Sequence, residues 1–213
     1  MPKEKIGIYG GSFSPIHEGH VRAALAFLDA MKLDRLLIIP TGNPPHKTVE
    51  GASAEERFEM TRLAFCETPA YKSGKLSVSD YEMTREGKSY TVYTLEHFSS
   101  PDRELYMLVG TDMFLSLHRW YRAQDIFRLT NIALMRRENE DANTAAIAEK
   151  KRDYTERFGA RIFELDEPVT EISSTELRRR ISDGSEREEL IPSVVEIIST
   201  KRIYTGNKGN DNG

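Results

Sequence analysis

Short apolar runs recur along the chain at residues 6–9, 36–39, 76–78, 105–109, 132–135 and 162–165. Several are rich in branched aliphatics, and most end at Gly, Pro or a polar residue, which predicts strands of a sheet covered on both faces. Between the first two runs, Val21, Ala24, Leu25, Leu28 and Met31 fall at the spacing of one apolar stripe on a helix. Ser53-Ala54-Glu55-Glu56 has the pattern of a capping box and predicts a second helix running towards Cys66. Ser173-Ser174-Thr175-Glu176 repeats that pattern ahead of a basic helix carrying Arg178, Arg179 and Arg180. Pro192 suits the first turn of a last helix, with Val194, Val195 and Ile198 facing inward. Strand–helix alternation of this kind predicts a single α/β domain with a doubly wound, mostly parallel sheet and helices on both faces. Ligands of such sheets bind at the carboxyl ends of the strands, beside the topological switch point.

Composition narrows the classes. The 213 residues are 38% hydrophobic and 30% charged, ordinary values for a globular chain long enough to bury a core. The formal net charge of -4 gives no bulk attraction to nucleic acid or to an anionic membrane, so any phosphate site must be local. No run approaches the roughly 18 apolar residues of a membrane span, and Met1-Pro2-Lys3-Glu4-Lys5 leads into too few apolar positions for a signal peptide. Cys66 is the only cysteine, so an intramolecular disulfide is excluded. A reducing, cytoplasmic location and a buried structural thiol are expected. Residues 206–213 are of low complexity and read as a disordered tail.

The densest chemistry lies in Gly10-Gly11-Ser12-Phe13-Ser14-Pro15-Ile16-His17-Glu18-Gly19-His20. It follows the first strand and enters the first helix, where backbone N–H groups and the helix dipole favour an anion. Gly10 and Gly11 would let the backbone approach a phosphate closely. His17 and His20, three apart, share a face of the first turn, and Gly19 leaves that face open. Taken alone, such a pair is a polar cap. No patterned third ligand makes it a zinc site, and the G-x-x-x-x-G-K-[ST] phosphate loop is absent. The preceding strand and glycine pair favour hydrogen bonds to phosphate oxygens as charge develops.

This segment resembles the signature of the nucleotidyltransferase superfamily that carries an H-x-G-H motif, and nearly the whole chain resembles its bacterial nicotinate-nucleotide adenylyltransferases. Pro40-Thr41-Gly42-Asn43-Pro44-Pro45-His46-Lys47 is similar to the family's proline-rich loop, and Ser89-Tyr90-Thr91-Val92-Tyr93-Thr94-Leu95 to its S-Y-T-x-x-T-L helix start. Gly110-Thr111-Asp112 with Leu117-His118-Arg119-Trp120 matches G-x-D…L-x-x-W, and Ile172-Ser173-Ser174-Thr175-Glu176-Leu177-Arg178 matches I-S-S-T-x-[IL]-R. Three departures stand out. Ser14 and Tyr93 occupy places where the family commonly has Asp, and Arg136-Arg137-Glu138 replaces an Arg-Pro-Gly turn.

The resemblance implies a Rossmann-like nucleotidyltransferase domain over 1–205 that joins ATP to nicotinic acid mononucleotide and releases pyrophosphate. It implies His17, His20, Lys47 and Arg178 as catalytic residues. ATP contacts would come from Gly10, Gly11, Ser12, Phe13, His17, His20, Gly110, Asp112, Ile172, Ser173, Ser174, Thr175 and Arg178. Acceptor contacts would come from Lys47, Thr91, Trp120 and Tyr121. Without the family context Asp112 is as readily a helix cap, and a sole Trp is usually core. Mg²⁺ would arrive on the ATP phosphates, with no protein metal site. Neither nucleic acid nor membrane is an expected partner, and homo-oligomer formation stays open. The alternatives are a pantetheine-phosphate adenylyltransferase and a non-catalytic nucleotide-sensing module.

Overall fold

The computed structural model describes residues 2–45, 49, 51–137, 141–169, 173–185 and 189–205. Lys47, Ile172 and the tail 206–213 lie outside the described residues. The strands are β1 (Glu4–Gly11), β2 (Arg35–Pro40), β3 (Leu76–Val78), β4 (Arg103–Gly110), β5 (Thr130–Arg137) and β6 (Ile162–Val169). The helices are α1 (Glu18–Ala30), α2 (Ala54–Cys66), α3 (Pro69–Lys72), α4 (Tyr81–Thr84), α5 (Thr91–Phe98), α6 (Thr111–Ser116), α7 (Ala123–Leu129), α8 (Thr144–Phe158), α9 (Ser174–Asp183) and α10 (Pro192–Lys201). The sheet order is β3-β2-β1-β4-β5-β6, and every neighbouring pair is parallel, so the fold is Rossmann-like throughout.

Alternation along the strands feeds two cores. Leu36, Ile38 and Leu108 face one layer with Phe27 of α1, Met60 of α2 and Ile198 of α10. Ile6, Ile8, Leu37, Ile39, Met107 and Val109 face the other, with Val92 of α5, Phe114 of α6 and Tyr154 of α8. A side-chain period of two, with both faces buried, is what turns these strands into continuous apolar runs.

The capping signals held. Ser53 Oγ accepts from the Glu56 amide at 3.2 Å while the Ser53 amide donates to Glu56 Oε2 at 2.8 Å. Ser173 Oγ accepts from the Glu176 amide, but the Glu176 carboxylate turns to Arg179 and Arg180 rather than back to the cap. On α1 the fully buried positions are Gly19, Ala23, Ala24 and Phe27, and the expected Val21, Leu25, Leu28 and Met31 flank them. Small residues at the centre of the contact bring α1 close to the sheet and shift the stripe by one position. Cys66 is half-buried, its thiol donating to the Leu63 carbonyl at 3.2 Å, rather than lying in the core.

Gly7 of β1 lies directly under Phe27 of α1, Leu33 and Leu36 of β2. A Cβ there would collide with Leu33 and come within 2.9 Å of Leu36 and 3.0 Å of Phe27, all buried side chains of the core. Gly7→Ala should therefore destabilise the domain by about 1–3 kcal/mol through overpacking. In a thermal melt this reads as a Tm loss of about 2–4 °C per kcal/mol. An unchanged Tm would show that Leu33, Leu36 and Phe27 make room at no cost.

Candidate active site

The strand order reverses between β1 and β4, and the carboxyl ends of these two strands open the crevice expected for a ligand. Its floor is bare. A Cβ on Gly10 would meet only the Ile39 carbonyl at 3.9 Å, and one on Gly110 would meet nothing within 4 Å. Gly11 differs from expectation. The space beside it is taken by the ring of Phe13, 2.9 Å from where a Cβ would sit. Phe13 folds back in the left-handed region, at φ 44°, and is buried. Gly11 thus permits the loop to pack on itself, while Gly10 leaves room for a ligand.

His17 is the cap residue of α1 rather than part of its first turn. Its amide donates to His20 Nδ1 at 3.3 Å, and the two rings stack with centroids 3.7 Å apart at 26°. Accepting through Nδ1 leaves Nε2 as the donor nitrogen of His20. Phe13 stands edge-on to His20, at 5.1 Å, and Tyr9 edge-on to Phe13, at 5.4 Å, so aromatic packing fixes the pair from behind. His17 Nδ1 is buried without a hydrogen-bond partner among the described residues.

The loop is held through its carbonyls. Arg57 of α2 donates Nη1 to the Ser12 carbonyl at 2.8 Å, and Arg178 of α9 donates Nη1 to the Ser14 carbonyl at 2.6 Å. Ser174 Oγ donates to the Pro15 carbonyl at 3.2 Å, and the Ser14 and Tyr204 hydroxyls bond at 2.9 Å. Burial pushes the Tyr204 hydroxyl up to about 12, so it is a neutral phenol at any working pH. Ser14, which departs from the family's common Asp, is thereby accommodated as a buried hydroxyl with a phenol partner. Arg178 Nη2 also meets Thr175 Oγ1 at 3.1 Å. Arg179 and Arg180 are engaged by Glu176, Asp183 and Glu189.

The second half of the crevice comes from the loop after β2 and the start of α5. Asn43 and Ser89 join these segments, the Ser89 amide donating to the Asn43 carbonyl at 2.8 Å and the Asn43 amide to Ser89 Oγ at 3.0 Å. Thr91 opens α5 directly after Tyr90, whose ring lies 4.5 Å from that of Tyr121. Tyr93 completes this cluster, with the Arg85 guanidinium 4.2 Å from its centroid. A hydrogen bond with Tyr93 holds the Tyr121 hydroxyl above its usual range. Trp120 is half-buried against the second core and Tyr121 is exposed. Asp112 is exposed in the first turn of α6. The sequence reading missed Arg57, Tyr90 and Tyr204; only the first two fall inside or beside a motif.

Burial lowers the His17 pKa from 6.5 to about 4, against the opposing pull of the Glu189 charge. The unfolded chain takes up this proton near pH 6.5, whereas the fold resists it down to about pH 4. The stability contributed by neutral His17 is therefore complete above the unfolded pKa and lost as pH falls through that window, about 3 kcal/mol in all. Urea unfolding between pH 7 and pH 4 should show the wild type losing about that much more stability than His17→Asn. Parallel curves would show that the imidazole is not held neutral.

Residues 8–180 match the cytidylyltransferase-like family. The chain is 34% identical to a probable nicotinate-nucleotide adenylyltransferase of Caldicellulosiruptor saccharolyticus, covering 94% of this chain and 98% of the relative. It is 35% identical to the protein of that name from Clostridium tetani, over 94% of this chain and 99% of the relative. Its fold is similar to that of Plasmodium falciparum nicotinic acid mononucleotide adenylyltransferase complexed with NaAD, at a TM-score of 0.76 and 17% identity over 94% and 97% of the two chains. The loop, the histidine pair and this likeness over nearly the full length agree: the chain belongs to the cytidylyltransferase-like family, among its nicotinate-nucleotide adenylyltransferases.

Proposed function

We propose that this protein transfers the adenylyl group of ATP to nicotinic acid mononucleotide, giving nicotinic acid adenine dinucleotide and pyrophosphate. The observation that carries the reading is the stacked His17–His20 pair at the start of α1, in a chain whose relatives bear that activity's name over 94% of its length. An oxygen of the acceptor phosphate attacks the α-phosphorus in line. The bond from that phosphorus to the bridging oxygen of the leaving pyrophosphate breaks, and no side chain forms a covalent intermediate. Catalysis is then positioning and charge stabilisation.

His17 and His20 act as hydrogen-bond donors to the transferring phosphate. His17, neutral near pH 7, contributes a preorganised donor rather than a standing cation. Arg178 spends two donors on Ser14 and Thr175 and turns the remainder of its fork towards ATP, and Lys47 serves the acceptor phosphate. Ser12, Phe13, Gly110, Asp112 and the Ile172–Thr175 stretch complete the nucleotide side. Thr91, Trp120 and Tyr121 receive the pyridine ring and its carboxylate, and the neighbouring tyrosine cluster supports this assignment. The histidine nitrogens are poor partners for Mg²⁺, which prefers oxygen. Among the described residues no group of three His, Cys, Asp or Glu could hold a metal. Mg²⁺ would enter on the ATP phosphates, held by their oxygens and water, where it would offset charge on the leaving pyrophosphate. ATP as substrate and a lone half-buried thiol fit a cytoplasmic reaction.

Pyrophosphate release with ATP and a panel of acceptors tests the reading. Nicotinic acid mononucleotide should give the highest kcat/KM, nicotinamide mononucleotide less and 4′-phosphopantetheine none, because donors built for a carboxylate stay unpaired against an amide. Phosphopantetheine as best substrate would overturn the nicotinate assignment and leave adenylyl transfer standing. Nucleotide binding without any pyrophosphate release would point to a sensing module. Trp120→Ala should raise the acceptor KM far more than the ATP KM.

The two neighbouring arginines of α9 separate specific contact from a diffuse basic face. Arg178→Ala should weaken ATP binding and slow transfer. Arg180→Ala should do little, since its guanidinium is committed to Glu176 and Glu189. Equal losses in steady-state kinetics would favour the diffuse basic face.

A further inference from the structure

Among the described residues Arg57 is the largest fully buried side chain, 2% exposed, on a helix that carries none of the residues expected to touch substrate. Long charged side chains are rarely buried to this degree unless paired. No ion pair joins it to a described carboxylate. Its partners are main-chain oxygens of two different loops: Nη1 donates to the Ser12 carbonyl at 2.8 Å, and Nη2 to the Gly42 carbonyl at 3.4 Å. Ser12 lies in the loop after β1, and Gly42 in the loop after β2 that leads to Pro44-Pro45. The Gly42 anchor is tightly seated. A Cβ on Gly42 would collide with the Glu82 carbonyl, so that stretch is pressed against α4. The two loops are also joined directly, the Thr41 amide donating to the Gly11 carbonyl at 2.8 Å.

We infer that Arg57 is a positioning residue, whose buried guanidinium sets the distance between the nucleotide loop and the acceptor loop. The inference rests on the proposed adenylyl transfer, in which these loops carry the two reactants. A planar fork can satisfy two carbonyls at once, whereas a lysine ammonium on a flexible stem reaches one and leaves the other buried and unsatisfied. In-line attack needs the acceptor oxygen and the α-phosphorus aligned, and a displacement of about 1 Å remote from the chemistry can cost about 100-fold in rate. Loss of the tie therefore falls on kcat. Each loop still binds its own ligand, so KM for either substrate changes little.

The test compares Arg57→Lys and Arg57→Met with Met60→Ala, a core truncation on the same helix that contacts neither loop's carbonyls. Thermal melts match the variants for lost stability, and kinetics run well below each Tm. Arg57→Lys should lose about 100-fold in kcat with both KM values nearly unchanged, Arg57→Met should lose more, and Met60→Ala should keep its kcat. Amide exchange supplies a readout that needs no turnover. The Thr41 amide should exchange about tenfold or more faster in the Arg57 variants, while Ile8 in the centre of β1 keeps its protection. The inference is overturned if kcat follows Tm alike in all three variants, if the loss lies wholly in one KM, or if Thr41 stays protected. Should the wild type release no pyrophosphate with any acceptor, the functional reading fails, and Thr41 exchange still decides whether Arg57 ties the loops.

Discussion

A glycine-rich loop packed among several elements must have its carbonyl groups satisfied by the segments around it, and in this protein that requirement ties distant parts of the chain together. The carbonyls of Gly11, Ser12, Ser14, Pro15 and His17 each find a donor. The donors come from the end of β2, from α2, from α9 twice and from the first turn of α1. A buried carbonyl left without a partner costs as much as a typical point mutation, so each of these elements has a defined place relative to the loop. The sheet brings the strand ends together, and these hydrogen bonds convert that rough proximity into a fixed shape.

Much of this was legible in the sequence because the signal was local. Six strands announced themselves by composition and length, and the caps at Ser53 and Ser173 by side-chain chemistry that acts across three residues. The H-x-G-H segment was readable for the same reason, since strand, glycines, histidines and helix start are contiguous. Arg57 was not. In Ala54-Glu55-Glu56-Arg57 it has the look of an ordinary charged residue in a solvated first turn, and only packing at a distance of 45 residues in sequence buries it. Tyr204 is a lone aromatic after the last helix whose partner is 190 residues away. The motif points Gly11 at a ligand, yet the space where its Cβ would sit is taken by the ring of Phe13, two residues on and in the left-handed region, which no local pattern announces.

The electrostatics follow the same division between local pattern and tertiary setting. The spacing of the two histidines says nothing of their charge; desolvation keeps His17 uncharged down to about pH 4, and the close stack with His20 disfavours charging both rings. On α9 the three consecutive arginines separate by what surrounds them. Arg179 and Arg180 satisfy Glu176, Asp183 and Glu189, while Arg178 turns inward to a carbonyl. A charge run that reads as one basic face is one surface ion-pair network joined through Glu176, plus one arginine turned inward.

The bond between Ser14 and Tyr204 has a temporal meaning as well as a spatial one. Chains emerge from the ribosome amino end first, at about 5–20 residues per second, and their early segments can begin to order before the later ones exist. Here the glycine-rich turn is among the first segments made, while its supports at Ser174, Arg178 and Tyr204 are among the last. A nascent chain that has completed β1 to β5 holds the crevice without the supports that shape it. The loop therefore reaches the hydrogen-bonded shape described above only once the final helix has docked, although five of the six strands are made well before that helix.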